Sequence, residues 1–226
     1  IGICVLIWIR QRNHPRSAEG AAGRRSRFFG SVWWQAYYVE FTIFAVMLCI
    51  MVLRTLEARL VQIDHPTESL VLHFPLSGWG AQWLWQWADK GMVEQLIYLV
   101  AMIKILVSFA WMITISLTPT MGVAWHRFLA FVNIYFKRHA DGRTSLGAVQ
   151  PMMVAGKPFD MEAMEDLDED TTLGVGKIEE FTWKGLLDFT TCTECGRCQS
   201  QCPAWNTDKP LSPKLLMMGL REHAYA

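Results

Sequence analysis

Two apolar stretches of 22 residues, at positions 32–53 and 96–117, constrain the fold of this chain more than any other feature. Each contains one charged residue, Glu40 in the first and Lys104 in the second. At about 1.5 Å per residue, a helix of this length spans roughly the 30 Å hydrocarbon core of a bilayer. The sequence therefore predicts two membrane spans, and the second ends before Pro119 because proline cannot continue helical hydrogen bonding.

The first nine residues are also apolar, and basic residues follow them. A signal peptide carries its basic residues before the apolar run, so this order is typical of the end of an earlier membrane helix. The sequence also lacks an initial Met. We therefore expect a piece of a longer protein and assign residues 1–138 to its membrane domain.

The charges are balanced in number but not in position. The chain holds 21 basic and 21 acidic residues, and this balance argues against a nucleic-acid-binding protein driven by bulk basicity. Residues 10–30 carry six Arg and one Glu, whereas residues 54–92 carry three basic and four acidic residues. The positive-inside rule places residues 10–30, and everything after about residue 120, in the cytoplasm. We expect a multi-pass membrane protein, with the lipid bilayer as a partner and no nucleic acid.

Two further segments are expected to lie at the membrane surface as short helices. Residues 79–90 contain Trp79, Trp83 and Trp87 at four-residue intervals, and residues 121–138 are rich in aromatic side chains. Indole rings favour the headgroup layer of a bilayer. The alternative for the tryptophans is contact with a quinone or another cofactor.

Three residues of the membrane domain are candidates for cofactor contact. Glu40 and Lys104 lie within the spans, where ionisable side chains usually face a partner, a cavity or a cofactor. We expect them either to pair or snorkel, or to lie near a quinone or a haem propionate. His126, at the predicted inner interface, is the best single candidate for a haem b ligand, and a hydrogen-bonded interfacial histidine is the alternative.

Residues 139–176 form a polar stretch with scattered Gly and Pro, and seven of the eleven residues at 160–170 are carboxylates. Such a segment cannot bury a core, so we expect an acidic linker that is extended or lies over the surface. Docking of a basic partner is the alternative role for this negative charge.

The most specific motif is a group of four cysteines near the end of the sequence. Cys192, Cys195, Cys198 and Cys202, followed by Pro203, have the spacing C-x2-C-x2-C-x3-C-P. The first three thiolates can bind one [4Fe–4S] cluster, and in two-cluster ferredoxins the fourth ligates the other cluster. Zinc sites usually use two separated ligand pairs, and disulfides are rare in cytoplasmic segments. Residues 177–226 are therefore predicted to form a partial ferredoxin domain that binds two clusters, the second completed by residues outside this sequence.

Two helices are expected to flank the cysteines. Apolar side chains at Phe181, Leu186 and Phe189, with Trp183, predict a short amphipathic helix before the motif. After it, Ser212 is an N-cap followed by proline at the first helical position, which predicts a helix that packs on the cluster domain.

Residues 176–222, and above all the string CTECGRCQSQCPAWNT, resemble the ferredoxin segment of one family. This family comprises the actinobacterial membrane-bound, heterodisulfide-reductase-D-like iron–sulfur oxidoreductases, the electron-transfer-flavoprotein dehydrogenases. The resemblance implies a mainly α protein in which nitrate-reductase-gamma-like integral-membrane helices precede an α-helical dicluster ferredoxin segment. Family members tend to carry a His-x-His pair before an Ala-x-x-Asn-Val segment. In this sequence only the second histidine of the pair is present, as His126, and Ala130 and Asn133 match the Ala-x-x-Asn part of the following segment.

The resemblance also implies a function. Such proteins accept electrons from a reduced electron-transfer flavoprotein and pass them through cytoplasmic clusters to menaquinone, which connects fatty-acid β-oxidation to respiration. Respiratory-chain complexes are further expected partners. Two alternatives stay open: a quinone-linked 2-hydroxy-acid dehydrogenase or heterodisulfide/thiol reductase component, and a non-catalytic electron-conduit anchor in a respiratory complex. Catalytic residues for substrate chemistry are expected outside this sequence.

Overall fold

The computed structural model describes residues 1–13, 26–66, 74–75, 77–136, 151–154, 157–160, 162, 171 and 174–226. In these ranges the chain is mainly α, as predicted. The helices are α1 (Gly2–Arg12), α2 (Trp33–Asp64), α3 (Gly78–Leu84), α4 (Lys90–Leu117), α5 (Gly122–Tyr135), α6 (Trp183–Thr190), α7 (Arg197–Gln201), α8 (Pro203–Asn206) and α9 (Pro213–Tyr225). A 3₁₀ helix spans Ile178–Glu180, and strands β1 (Met153–Val154) and β2 (Lys157–Pro158) pair antiparallel.

The chain divides into two compact units. The helical unit comprises Ile1–Arg12 and Val32–Thr118, and the cysteine unit comprises Asn13–Ser31 and Pro119–Ala226. This division differs from the predicted domain boundary at residue 138, because α5 packs against α6, which leads into the cysteine motif. Most of the predicted acidic linker, including nearly all of the run at 160–170, lies outside the described residues.

Among the described residues, two helices of the helical unit are long and apolar enough to cross a membrane. They are α2, with 32 residues, and α4, with 28 residues. The predicted spans at 32–53 and 96–117 lie almost entirely inside these longer helices. The difference arises because apolar composition marks the part of a helix that fits a hydrocarbon layer, whereas the helical backbone continues through the flanking polar residues.

The core of the helical unit lies where the end of α2 meets the beginning of α4. Leu56, Ala88 and Val93 are buried there. The Trp85 indole donates a hydrogen bond to Thr55 Oγ1 at 2.9 Å. Elsewhere most side chains of α4 are exposed, and Val93 is its one buried residue among those described. The rest of α4 therefore presents an apolar surface that suits a lipid environment.

The predicted interfacial helix at 79–90 is shorter in the structure, since α3 ends at Leu84. Trp79 and Trp83 lie on α3, but Trp87 follows it and donates from its indole nitrogen to the Leu84 carbonyl at 2.7 Å. All three tryptophans are exposed. The second predicted interfacial helix, at 121–138, corresponds to α5, which belongs to the cysteine unit.

Glu40 pairs with a residue other than Lys104. Its Oε1 accepts a hydrogen bond from Arg10 Nε at 2.8 Å, and the Glu40 side chain is nearly buried. Arg10 lies in the last turn of α1. Lys104 is half-buried on α4, where its backbone carbonyl accepts from Ser108 Oγ. Glu40 is thus paired between α1 and α2 with a residue that was not expected, and any contact of Glu40 or Lys104 with a cofactor stays a prediction.

Candidate metal centre

The four cysteines lie on a short loop with two helical turns. Cys192 follows α6, Cys195 lies in the loop, Cys198 is in α7, and Cys202 separates α7 from α8. The thiols of Cys195 and Cys198 belong to exposed residues, whereas Cys192 and Cys202 are partly buried. We call residues 192–202 the cysteine loop.

The backbone of the cysteine loop turns sharply between the first and third cysteines. Glu194 and Gly196 have left-handed φ values of 58° and 71°. A side chain at Gly196 would overlap the backbone carbonyl of Arg27. Position 196 therefore requires glycine for two reasons, its conformation and the close approach of another backbone.

The backbone that approaches Gly196 belongs to residues 26–31, which we call the upstream segment. Arg27 donates from Nε to the Cys195 carbonyl at 3.0 Å, and Ser31 donates from Oγ to the Glu194 carbonyl at 3.1 Å. The Phe29 and Trp205 rings pack with centroids 5.5 Å apart. The sequence predicts only a basic inner loop for this segment, and its contact with the cysteine loop was not predicted.

The second support for the cysteine loop is α9. Lys214, Met218 and Arg221, spaced as i, i+4 and i+7, form the buried face of this helix. The helix begins as predicted, because the Ser212 hydroxyl accepts from the Leu215 amide at 3.2 Å and Pro213 occupies the first turn. The two cations on its buried face were not predicted.

Arg221 ties α9 to the loop through a buried ion pair. Its Nη2 donates to Glu194 Oε1 at 2.6 Å, and the two side chains are 4% and 2% exposed. Its Nη1 also donates to the Cys192 carbonyl at 3.2 Å. Because the partners are desolvated, the pair positions the loop strongly, and removal of one member would leave an uncompensated buried charge.

Lys214 is the second buried cation, and its side chain has no exposed surface. Its Nζ donates to Ser31 Oγ at 2.9 Å and to the Arg27 carbonyl at 3.3 Å. Burial lowers the pKa of Lys214 to about 8, and the negative charges of Glu194 and of the Cys192, Cys198 and Cys195 thiolates act in the opposite direction. Burial likewise raises the pKa of the Cys192 thiol.

The spacing of the cysteines in the loop is typical of an iron–sulfur cluster. All six cysteines are free thiols, so none is in a disulfide. In the described part of the chain, no three His, Cys, Asp or Glu side chains are placed to share one metal ion. Zinc sites usually use two separated ligand pairs, whereas each thiolate of a [4Fe–4S] cluster binds a separate iron. Four thiols on one loop beside buried cations therefore suit an anionic cluster.

His126, on α5, lines a cavity that the first cysteine of the loop also lines. Its Nδ1 donates to the Thr191 carbonyl at 2.7 Å, which leaves Nε2 as the acceptor or ligand atom. A cavity of about 300 Å³ is bounded by His126, Ala130, Asn133, Ile134, Asp188, Thr191 and Cys192. This geometry matches the predicted hydrogen-bonded histidine, and a haem contact through Nε2 stays a prediction.

Asn133 and Lys184 order the polar wall of this cavity. The Asn133 amide donates to Asp188 Oδ1 at 2.9 Å and to Thr191 Oγ1 at 3.0 Å. The Lys184 ammonium donates to the Asn133 and Asp188 side chains at 2.8 and 2.6 Å. These contacts fix α5 against α6 and so hold the residue before Cys192.

The chain is similar to three proteins with related names. It is 35% identical over 110 residues to the EtfAB:quinone oxidoreductase of Syntrophomonas wolfei. The matched segment covers 48% of this chain and 13% of that protein. It is 42% identical over 65 residues to a probable membrane-anchored ferredoxin of Chromohalobacter salexigens, covering 29% of this chain and 10% of that protein. It is 47% identical over 73 residues to the probable iron–sulfur-binding oxidoreductase FadF of Bacillus subtilis, covering 32% of this chain and 10% of that protein.

These matches agree with the chemistry of the cysteine loop at a coarse level. The chain spans about a tenth of the length of the curated relatives it matches. No protein-family model and no solved structure matches it. The similarity and the two apolar helices support the class of membrane-associated iron–sulfur electron-transfer oxidoreductases.

Proposed function

We propose that this chain is the electron-relay part of a quinone-linked oxidoreductase. Electrons from a soluble electron-transfer flavoprotein pass through two [4Fe–4S] clusters to menaquinone in a bacterial plasma membrane. The observation that carries this proposal is the four-cysteine loop, held between the upstream segment and the two buried cations of α9. The match to a relative named EtfAB:quinone oxidoreductase supports an electron-transfer flavoprotein as the donor and a quinone as the acceptor.

In this proposal the cysteines divide between two clusters. Cys192, Cys195 and Cys198 hold one cluster and Cys202 contributes to a second, as in two-cluster ferredoxins. The clusters supply one-electron transfer when bound. The residues of this chain hold the thiolates in place: Arg221 binds the Cys192 carbonyl, and Arg27 binds the Cys195 carbonyl. The exposed position of Cys195 and Cys198 suits electron exchange with a partner at the surface.

The membrane part of the proposal is a multi-pass, nitrate-reductase-gamma-like domain. We infer that α2 and α4 cross the bilayer and that the cysteine unit lies in the cytoplasm, since the basic residues concentrate at 10–30 and after residue 120. His126 is the candidate haem b contact, and Glu40 and Lys104 are candidates for the vicinity of a quinone or haem.

A second function also has support. One match is to a protein named a probable membrane-anchored ferredoxin. A non-catalytic electron conduit within a larger respiratory assembly would use the same cysteine loop and the same apolar helices. It would differ in having no direct exchange with the soluble flavoprotein.

Electron transfer by the full-length membrane protein distinguishes these functions. We expect reduced electron-transfer flavoprotein to reduce the protein-bound chromophores, and added menaquinone to reoxidise them. The variant Cys198→Ser is expected to lose most of this electron transfer because the substitution removes one cluster ligand. Absence of reduction by the flavoprotein, with intact clusters, would contradict the proposed function and favour the conduit.

A further inference from the structure

Lys214 is a buried charge whose hydrogen-bond partners are both neutral. Its side chain is fully buried, and its ammonium donates to the Ser31 hydroxyl and the Arg27 carbonyl. Within the described part of the chain, no carboxylate forms an ion pair with it. The Glu194 carboxylate acts on this ammonium but is itself paired with Arg221. A buried ammonium without a direct ion pair is unfavourable, so further negative charge nearby would stabilise it.

Arg221, the second buried cation of α9, does have an ion-pair partner. Arg221 is paired with Glu194 at 2.6 Å, so the charges of these two side chains cancel at close range. Lys214 therefore supplies the unbalanced positive charge on the buried face of α9. Ser31 and Arg27, which hold its ammonium, also bind the cysteine loop at Glu194 and Cys195. The charge of Glu194 acts on Lys214, followed by the thiolates of three cysteines, Cys192, Cys198 and Cys195. These are the three residues proposed to hold one cluster.

We propose that Lys214 sets the reduction potential of the cluster held by Cys192, Cys195 and Cys198, by placing one buried positive charge beside it. This inference rests on the proposed iron–sulfur function. One electron given up by the reduced flavin of the donor adds one negative charge to the cluster and its thiolates, and no bond forms or breaks. A buried ammonium favours that added charge strongly because little water screens the interaction.

The position of Lys214 also explains why the upstream segment contacts the cysteine loop. Ser31 and the Arg27 carbonyl hold the ammonium by its hydrogen bonds, and the same two residues bind the loop at Glu194 and Cys195. The charge is therefore fixed relative to the thiolates by residues that contact both. Lys214 acts as a positioning residue for electron transfer and does not touch the donor.

Redox titration of the full-length protein, followed by the EPR signal of the reduced cluster, tests this inference. At the potential where the wild-type cluster is half reduced, Lys214→Met is expected to lower the ratio of reduced to oxidised cluster about tenfold. For a one-electron couple this corresponds to a shift of about 59 mV to lower potential. Glu194→Gln removes a buried negative charge from the same network and is expected to raise the ratio.

Opposite shifts in these two variants separate an electrostatic effect from loss of structure, because structural damage would move both variants in one direction. The EPR signal arises only from molecules that hold a cluster, so partial loading leaves the measurement valid. Arg197→Gln is the matched control, since Arg197 is an exposed cation of the cysteine loop whose charge water screens. In Arg197→Gln the ratio of reduced to oxidised cluster is expected to differ from the wild-type ratio by less than about threefold.

Two outcomes would overturn the inference. One is a Lys214→Met potential equal to that of the wild type, and the other is a shift in the same direction for Lys214→Met and Glu194→Gln. If the wild type shows a normal cluster signal, either result would reject the role of Lys214 but not the proposed function. Absence of acid-labile sulfide and of any cluster signal in the wild type would instead reject the proposed function.

Discussion

Replacement of Gly196 by alanine is expected to remove at least half of the cluster iron from the purified protein. Gly196 has a φ of 71°, and a left-handed conformation costs a residue with a side chain about 1–2 kcal/mol. The new methyl group would also overlap the Arg27 carbonyl, which is backbone and cannot move as a flexible side chain does. The cysteine loop would therefore separate from the upstream segment. Iron per chain, measured after anaerobic purification, gives the result.

Gly219→Ala is the matched control for this substitution. Gly219 lies within α9, and an added methyl group there meets no atom within 4 Å. Glycine is less favourable than alanine in a helix by about 0.5–1 kcal/mol, so this variant should keep its iron and be slightly more stable. Full iron content in Gly196→Ala would contradict the close approach of the upstream segment to the loop.

Replacement of Arg221 by methionine is expected to destabilise the cysteine unit by about 3–5 kcal/mol. The substitution leaves the Glu194 carboxylate buried and unpaired, and it removes the donor to the Cys192 carbonyl. In a chain of this size, about 1 kcal/mol shifts Tm by roughly 2–4 °C, so the melting temperature should fall by about 6–20 °C. Thermal unfolding of the solubilised protein, followed by release of iron, measures this change.

An exposed ion pair provides the comparison for Arg221. Arg54 pairs with Glu57 at 2.9 Å, and the two side chains are 63% and 43% exposed. Arg54→Met should cost less than about 1 kcal/mol because water screens the pair. The double variant Glu194→Gln/Arg221→Met should recover part of the loss, since neither member of this pair remains as an uncompensated buried charge. Equal melting temperatures for Arg221→Met and Arg54→Met would contradict the buried pair.

Local chemistry made several elements predictable from the sequence. The apolar runs around Glu40 and Lys104 lie within the long helices α2 and α4. Ser212 and Pro213 predicted the start of α9, because hydroxyl capping and the fixed φ of proline act within one turn. The helix ends were less accurate. The helix predicted at 79–90 stops at Leu84, where the Trp87 indole binds the Leu84 carbonyl.

The supports of the cysteine loop could not be predicted, because they depend on contacts between distant parts of the chain. Arg27 and Cys195 are 168 residues apart in sequence. The buried face of α9 carries Lys214 and Arg221 beside Met218, whereas Leu216 is 56% exposed, which departs from the usual amphipathic pattern. The i, i+7 spacing of the two cations was the available signal, but hydropathy alone assigns such residues to the solvent-exposed face.

Analysis of iron, acid-labile sulfide and zinc in the purified full-length protein tests most directly whether the cysteine loop holds an iron–sulfur cluster. We expect iron and sulfide in equal amounts, as in [4Fe–4S] clusters, and a marked loss of both in Cys195→Ser but not in Cys49→Ser. Cys49 lies within α2 and is the matched thiol outside the loop. Zinc bound without acid-labile sulfide would contradict the account.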